Sequence, residues 1–199
     1  MREAREADAS EIARQLWKAF SDDPVQRWLF PADAAYAGRG LANFELVVRR
    51  TLEVGLVHTT GGLEGAALWL PPGRDLLERP GGTRFGWRSM LLLRGAIVRG
   101  ARFFQVLARH HPHEPHWYLP VLGTDPAFQG RGVGSALLAA VLARSDAEGL
   151  PAYLESSKER NIPFYRRHGF EVQGTLQVPG GPTVWPMRRA PRAASSPGG

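Results

Sequence analysis

Residues 116–135 read HWYLPVLGTDPAFQGRGVGS, an apolar stretch, a proline turn and a run of glycines that opens a helix. Residues 117–124 have the apolar weight of a β-strand. Asp125-Pro126 ends it, since proline fixes φ and disfavours helix in the residue before it. From Gly132 onward the apolar residues fall on one helical stripe, with Val133, Leu137 and Val141 at four-residue steps and Leu138 and Leu142 beside them. The segment 129–134 is therefore a glycine-rich strand-to-helix turn. The first amides of a helix lack intrahelical partners and sit at the positive end of its dipole. Glycines at 130, 132 and 134 let that backbone close on an anion with no Cβ in the way. Such a turn suits a pyrophosphate.

Three phosphate motifs compete for this turn. A Walker loop fails, because Gly134 is followed by Ser135-Ala136 where Lys-Ser/Thr is required. A dinucleotide fingerprint fits in part: Gly130, Gly132 and an acidic residue at the end of the next strand, Glu155, agree, while Ser135 stands in place of the third small residue. That reading needs a complete βαβαβ unit, and the chain before the turn reads mainly as helices and one hairpin. The third pattern, Gln/Arg-x-x-Gly-x-Gly/Ala, is met by Gln129, Gly132 and Gly134. The plain alternative is a helix-entry turn with incidental glycines.

A chain of 199 residues, 43% hydrophobic, buries one core. A single domain over 1–190 is expected, with a tail at 191–199 (PRAASSPGG) too polar to fold. The absence of cysteine excludes disulfides, thiolate metal sites and cysteine nucleophiles, and agrees with a reducing compartment. The start, MREAREADAS, has no apolar signal core, so a soluble cytoplasmic protein is expected. The formal charge of +6 favours an anionic partner. Much of the excess is arginine scattered over the middle helix and the tail, with no nucleic-acid motif beside it. That partner could be nucleic acid, an acidic membrane or a phosphorylated cofactor, and a solvated face explains the scattered arginines better than a nucleic-acid groove does.

Along the chain, Ile12, Leu16 and Phe20 mark a first helix that Asp8 or Ser10 can cap, and Ser21-Asp22-Asp23-Pro24 breaks it. A short apolar turn at 25–30 carries Trp28 and Phe30. A helix follows at 36–53, then a hairpin of strands 54–60 and 63–70 turning at Gly61-Gly62, which tolerate positive φ. Residues 84–110 have a helical stripe that includes Met90, Leu93, Ile97, Phe104 and Leu107. His110, His111, His113, Glu114 and His116 crowd together as zinc ligands do. Pro112 and Pro115 deny them the helical i, i+4 presentation, so an exposed connector is expected and no metal. After the central helix come a glycine cap at Gly149, a strand at 151–155, a short helix at 162–168, a strand at 171–178 and a last strand at 183–188.

The order strand, QGRGVG helix, strand, Asn161-x-Pro-x-Tyr165-x-x-x-Gly169-Phe170, then paired strands, resembles the GNAT superfamily of N-acetyltransferases. From residue 113 to 188 the text is most similar to its puromycin N-acetyltransferase-like members. The resemblance implies an α/β (α+β) GNAT fold: a mixed, mostly antiparallel sheet of six to seven strands flanked by helices and splayed between its β4 (117–124) and β5 (151–155). It implies acetyl-CoA as cosubstrate. The backbone of Leu122, Gly123 and Thr124 would take the pantetheine arm, the amides of Gln129, Gly130, Arg131, Gly132, Val133, Gly134 and Ser135 the pyrophosphate, and Asn161 the cofactor arm. Tyr165 would be the general acid, its alternative being a core aromatic. For the base, Glu155 is the first choice, with Glu114, His116 or a water chain through Tyr118 open. Asp22, Asp23, Trp28 and Phe30 would receive a small-molecule primary amine, though each also reads as a cap or core residue. The expected protein is a monomer or homodimer that N-acetylates such an amine. A non-catalytic acyl-CoA sensor is the alternative.

Overall fold

The computed structural model describes residues 1–32, 34, 36–76 and 96–192. The first strand, β1 (Arg2–Glu3), leads through a 3₁₀ turn into α1 (Ala9–Ala19) and α2 (Pro24–Leu29). A π-helical turn at Tyr36–Gly40 feeds α3 (Leu41–Val54), and the hairpin β2 (Leu56–Thr59) and β3 (Gly65–Leu70) follows. After α4 (Ala96–His110) come β4 (Trp117–Thr124), α5 (Val133–Ala147), β5 (Ala152–Ser156), α6 (Ile162–Arg167), β6 (Glu171–Val172), β7 (Leu176–Gln177) and β8 (Thr183–Arg189). The expected helix at 84–110 is seen from Ala96; residues 84–95, and 193–199 of the expected tail, lie outside the described residues. No described helix is long and apolar enough to cross a membrane.

The strands form one sheet in the order β1-β2-β3-β4-β5-β8-β6, with β7 on the same edge of β8 as β6. Neighbours are antiparallel except β4 and β5. Eight described strands exceed the expected six to seven, because β1 joins the edge and the stretch at 171–178 is interrupted between Val172 and Leu176. A sheet with one parallel pair also removes the dinucleotide reading, which requires consecutive parallel βαβ units.

Period-two alternation on β3 builds the layers. Ala66 and Leu68 face α1 and α3, packing with Ile12, Leu16, Phe44 and Val48, while Ala67 and Trp69 face α5, packing with Leu137, Leu138 and Val141. Both faces of β3 are therefore buried.

Several local details depart from expectation. Asp8 precedes α1, but its carboxylate accepts from the Arg5 amide (2.8 Å) and from both terminal nitrogens of Arg2 (2.7 and 2.9 Å) instead of from the helix. In the hairpin, positive φ falls on Leu63 (60°), not on Gly61 or Gly62, because the loop is longer and β3 begins only at Gly65. The glycine cap at Gly149 forms, with Leu150 N–H bonded to Ser145 C=O.

Beyond the site, Arg189 on β8 is 3% exposed and bonds both carboxylate oxygens of Asp146 on α5 at 2.7 Å, while its Nε donates to His168 C=O. Arg189 holds the Asp146 carboxyl below its ordinary range. A lowered folded value means that this stability is present above the unfolded carboxylate range and is lost as pH falls through the folded value. Asp146→Asn strands a buried guanidinium, so urea denaturation is expected to show a loss of about 3 kcal/mol at neutral pH, shrinking as the pH is lowered.

Candidate active site

The site begins with one extra residue in β4. Leu68 pairs with Val121, yet Leu70 pairs with Tyr118, so β4 carries a bulge at Leu119-Pro120. Proline offers no amide to the ladder, and a strand tolerates it at such a bulge. The bulge flips side-chain parity: Trp117 and Leu119 pack toward α5, and beyond it Leu122 does so while Val121 packs toward α1. Pairing with β5 covers Trp117–Ala152 and Tyr118–Tyr153 and then stops. The two strands part there, as expected of this fold, and a cleft of about 830 Å³ opens between them.

Leu122, Gly123 and Thr124 line one wall of the cleft. On the opposite face of the strand a Cβ at Gly123 would stand 2.7 Å from Leu16 Cδ2 and 2.9 Å from Phe20 Cε2, so those side chains would have to shift, and α1 lies close against the strand that forms the wall. At the end of this wall Gly130 and Gly132 adopt φ of 76° and 81°, and Gly132 is the left-handed cap from which α5 starts. The open amides of that first turn face a cleft lined by Gln129, Gly130, Gly132, Val133, Gly134 and Ser135. Arg131 departs from the group: its guanidinium lies over the Phe128 ring, 5.5 Å from the centroid. Ser135 Oγ is 3.0 Å from His168 Nε2, and Gln129 Nε2 donates to Thr124 C=O at 3.1 Å.

The opposite wall is β5 and α6. Tyr165 is buried and lines the cleft, with burial and then the Asp23 charge pushing its hydroxyl up, so it keeps its proton at neutral pH. Asn161 precedes α6, but its side chain makes no capping bond and lines the cleft instead. Glu155 lines the cleft with its side chain 4% exposed, and its Oε2 accepts the Tyr118 hydroxyl at 2.8 Å.

The four residues expected to receive an amine divide. Asp22 and Asp23 both line the cleft, and both are engaged by the chain. Asp22 is ion-paired with Lys158 and Arg160. Asp23 caps α2 by accepting from the amides of Val25 and Gln26 (3.0 Å each) and accepts the Ser157 hydroxyl. Trp28 and Phe30 are not among the lining side chains. Trp28 Nε1 donates to Gly180 C=O at 2.7 Å, and Phe30 is 1% exposed against Tyr36. Burial of apolar area draws both rings away from the cleft. Its apolar lining there comes from Phe20, Val25, Phe103 and Val184. Phe103 sits on α4 and Val184 on β8, and no sequence signal separates them from ordinary core residues. The histidine connector also differs from expectation. His116 is buried rather than exposed, because its ring packs on Tyr153.

Burial pushes the Asp23 carboxyl up, and its hydrogen bonds only partly offset this. A raised folded value means that stability falls as pH rises through the carboxylate range. Asp23→Asn, which retains a capping oxygen, is expected to be at least as stable as the parent at pH 7 and to lose that advantage in acid. Asp23→Ala is expected to be about 1–2 kcal/mol less stable than Asp23→Asn at pH 7. Thermal melts across pH check both.

Comparison with known proteins agrees with this geometry. Residues 65–170, more than half of the chain, match the acetyltransferase (GNAT) family. An uncharacterised N-acetyltransferase of Schizosaccharomyces pombe is 32% identical over 186 residues, covering 86% of this chain and 74% of that protein. Among solved structures, one described as a histone acetyltransferase and related acetyltransferase from Corynebacterium glutamicum superposes with a TM-score of 0.68 at 28% identity, covering 98% of this chain and 97% of that one. The polyamine N-acetyltransferase of Drosophila melanogaster, 17% identical with a TM-score of 0.57 over 95% of this chain and 98% of that one, shares the fold. A mixed sheet parted at its one parallel pair, with a glycine-capped helix at the gap and this family match across both, makes the chain a member of the acetyltransferase (GNAT) family and an acyl-CoA-dependent acetyltransferase.

Proposed function

We propose that the protein transfers the acetyl group of acetyl-CoA to a primary amine of a small molecule by direct attack, without a covalent enzyme intermediate. The observation that carries the reading is the convergence of Tyr165, Glu155 and the Gly130–Gly132 turn on one cleft. The chain's own groups fit the cosubstrate. The first-turn amides of α5 suit a pyrophosphate, the strand edge left open beyond Tyr118 suits the amide-bearing pantetheine arm, and Asn161 has a side chain free of its helix. Acetyl-CoA supplies a thioester whose carbonyl is open to a neutral amine.

The residues then divide the proton work. Glu155 takes the proton that the amine must lose, and a β4 amide near Leu122 donates to the oxygen that gains charge. Tyr165, held protonated by its burial, gives its proton to the departing thiolate. The products are the N-acetyl amine and the free thiol, with no redox change. Phe20, Val25, Phe103 and Val184 favour an acceptor with an apolar body. The likeness to puromycin N-acetyltransferase-like members rests on residues 113–188 and does not extend to puromycin as the acceptor, since the residues around the amine end lie largely outside that segment.

Purified protein with acetyl-CoA and a panel spanning 2-phenylethylamine, spermidine, aminosugars and a peptide N-terminus is expected to acetylate the small apolar amines best, read by thiol release and mass spectrometry. Tyr165→Phe is expected to lower kcat by at least about tenfold while calorimetry shows acetyl-CoA affinity within about twofold of the parent. An unaltered rate removes Tyr165 from the mechanism. Gly132→Ala places a side chain at φ 81°, at about 1 kcal/mol of backbone strain, and is expected to weaken acetyl-CoA binding while leaving the fold intact by circular dichroism.

A further inference from the structure

Four rings that are not among the residues lining the cleft close on the Glu155 carboxylate. His111, from the turn after α4, stacks edge-on with Tyr118 and Tyr153 (centroids 4.8 and 5.1 Å) and lies 4.8 Å from the His116 ring. Tyr118 donates to Glu155 Oε2, whereas Oε1 is buried with no hydrogen-bond partner among the described residues; the Tyr153 hydroxyl, likewise buried, lies near enough for the Glu155 charge to help it keep its proton. His111 Nδ1 stands 3.7 Å from Oε1, and its side chain is 33% exposed.

The protons of this cluster follow from its acceptors. His116 Nδ1 lies 2.7 Å from Glu114 C=O, which has no proton to give, so Nδ1 carries one. Burial favours neutral His116, leaving its Nε2 bare. That nitrogen is 3.1 Å from His111 Nε2, so His111 must donate from Nε2. A neutral His111 then presents a bare Nδ1 to Oε1. Oε1, buried, and the bare Nδ1 of a part-exposed ring then face each other at 3.7 Å, longer than a hydrogen bond, and one proton on either atom would draw the two together.

Resting on the assignment of Glu155 as base, we propose that His111 and Glu155 act as one proton-accepting pair, with His116 fixing the His111 tautomer and the exposed edge of His111 giving access to solvent. The proton Glu155 takes from the amine nitrogen moves from Oε1 to His111 Nδ1 and leaves to water, restoring the carboxylate. His111 is thus a positioning residue that acts through Glu155. Among the described residues, the other charged groups bearing on the pair are Glu114, whose carboxylate is held by Arg188 at 2.8 Å, and Asp75 beyond β3, which bears on Tyr118.

Nitrogen-15 NMR of the full chain with labelled histidine tests this without any acceptor amine. Neutral His116 is expected as the Nδ1–H tautomer and neutral His111 as Nε2–H, and the His111 Nδ1 signal is expected to step at the same pH as the carbon-13 signal of the Glu155 carboxyl. In Glu155→Gln, whose amide cannot share the proton, that step is expected to move. A His111 Nδ1–H tautomer, separate midpoints, or an unmoved step in the variant overturns the pairing. If the variant does not fold, the tautomers and the common midpoint of the parent protein decide. Absence of turnover by the parent protein across the whole amine panel would instead count against the transferase reading, and an unaltered rate in Glu155→Gln against Glu155 as base; neither outcome changes these spectra.

Discussion

The inserted residue at Leu119-Pro120 of β4 is the constraint on which the rest depends. Up to Tyr118 the strand pairs on both sides; beyond the bulge it keeps β3 and loses β5. An unpaired strand edge in a protein interior would leave amides and carbonyls without partners, at a cost of about 1–3 kcal/mol for each group. The open edge persists because it faces a cleft.

The neighbouring elements hold this opening in place from both faces. On one, α1 lies so close to β4 that a side chain at Gly123 would have to displace those of Leu16 and Phe20. On the other, Leu137, Leu138 and Val141 of α5 pack on Trp69, Trp117 and Leu119, which fixes where the helix begins and therefore where its free amides point. Across the mouth, Asp22 and Asp23 tie the α1–α2 corner to Ser157, Lys158 and Arg160 after β5. These links join the two halves of the sheet on the side where the strands no longer do.

The cleft contains carboxylates in contrasting surroundings. Asp23 is spent on a helix cap and a serine hydroxyl, in a setting that resists its charge. Glu155 has one oxygen bonded by Tyr118 and the other left open beside a histidine. The tyrosine that faces them is kept neutral by burial, the state in which a phenol can donate.

The sequence by itself determined the family, the strand-turn-helix at 117–147, the left-handed glycines at its centre and the short helix bearing Tyr165. These are set by local rules: apolar period, proline position and the need for glycine where φ is positive. Pro120 also stood in plain view as a strand residue without an amide, a signal for the bulge that periodicity alone does not convert into a parting of strands. Tertiary structure decided what depends on distant chain segments. Asp22 meets Lys158 and Arg160 more than 130 residues away. Trp28 is drawn to Gly180 rather than to the cleft, and Phe103 and Val184 form the apolar end. His111 reaches Glu155 only because β4 and β5 pair at Tyr118 and Tyr153 before separating. Side-chain partners of this kind are chosen by the packing of whole layers, and no spacing along the chain encodes them.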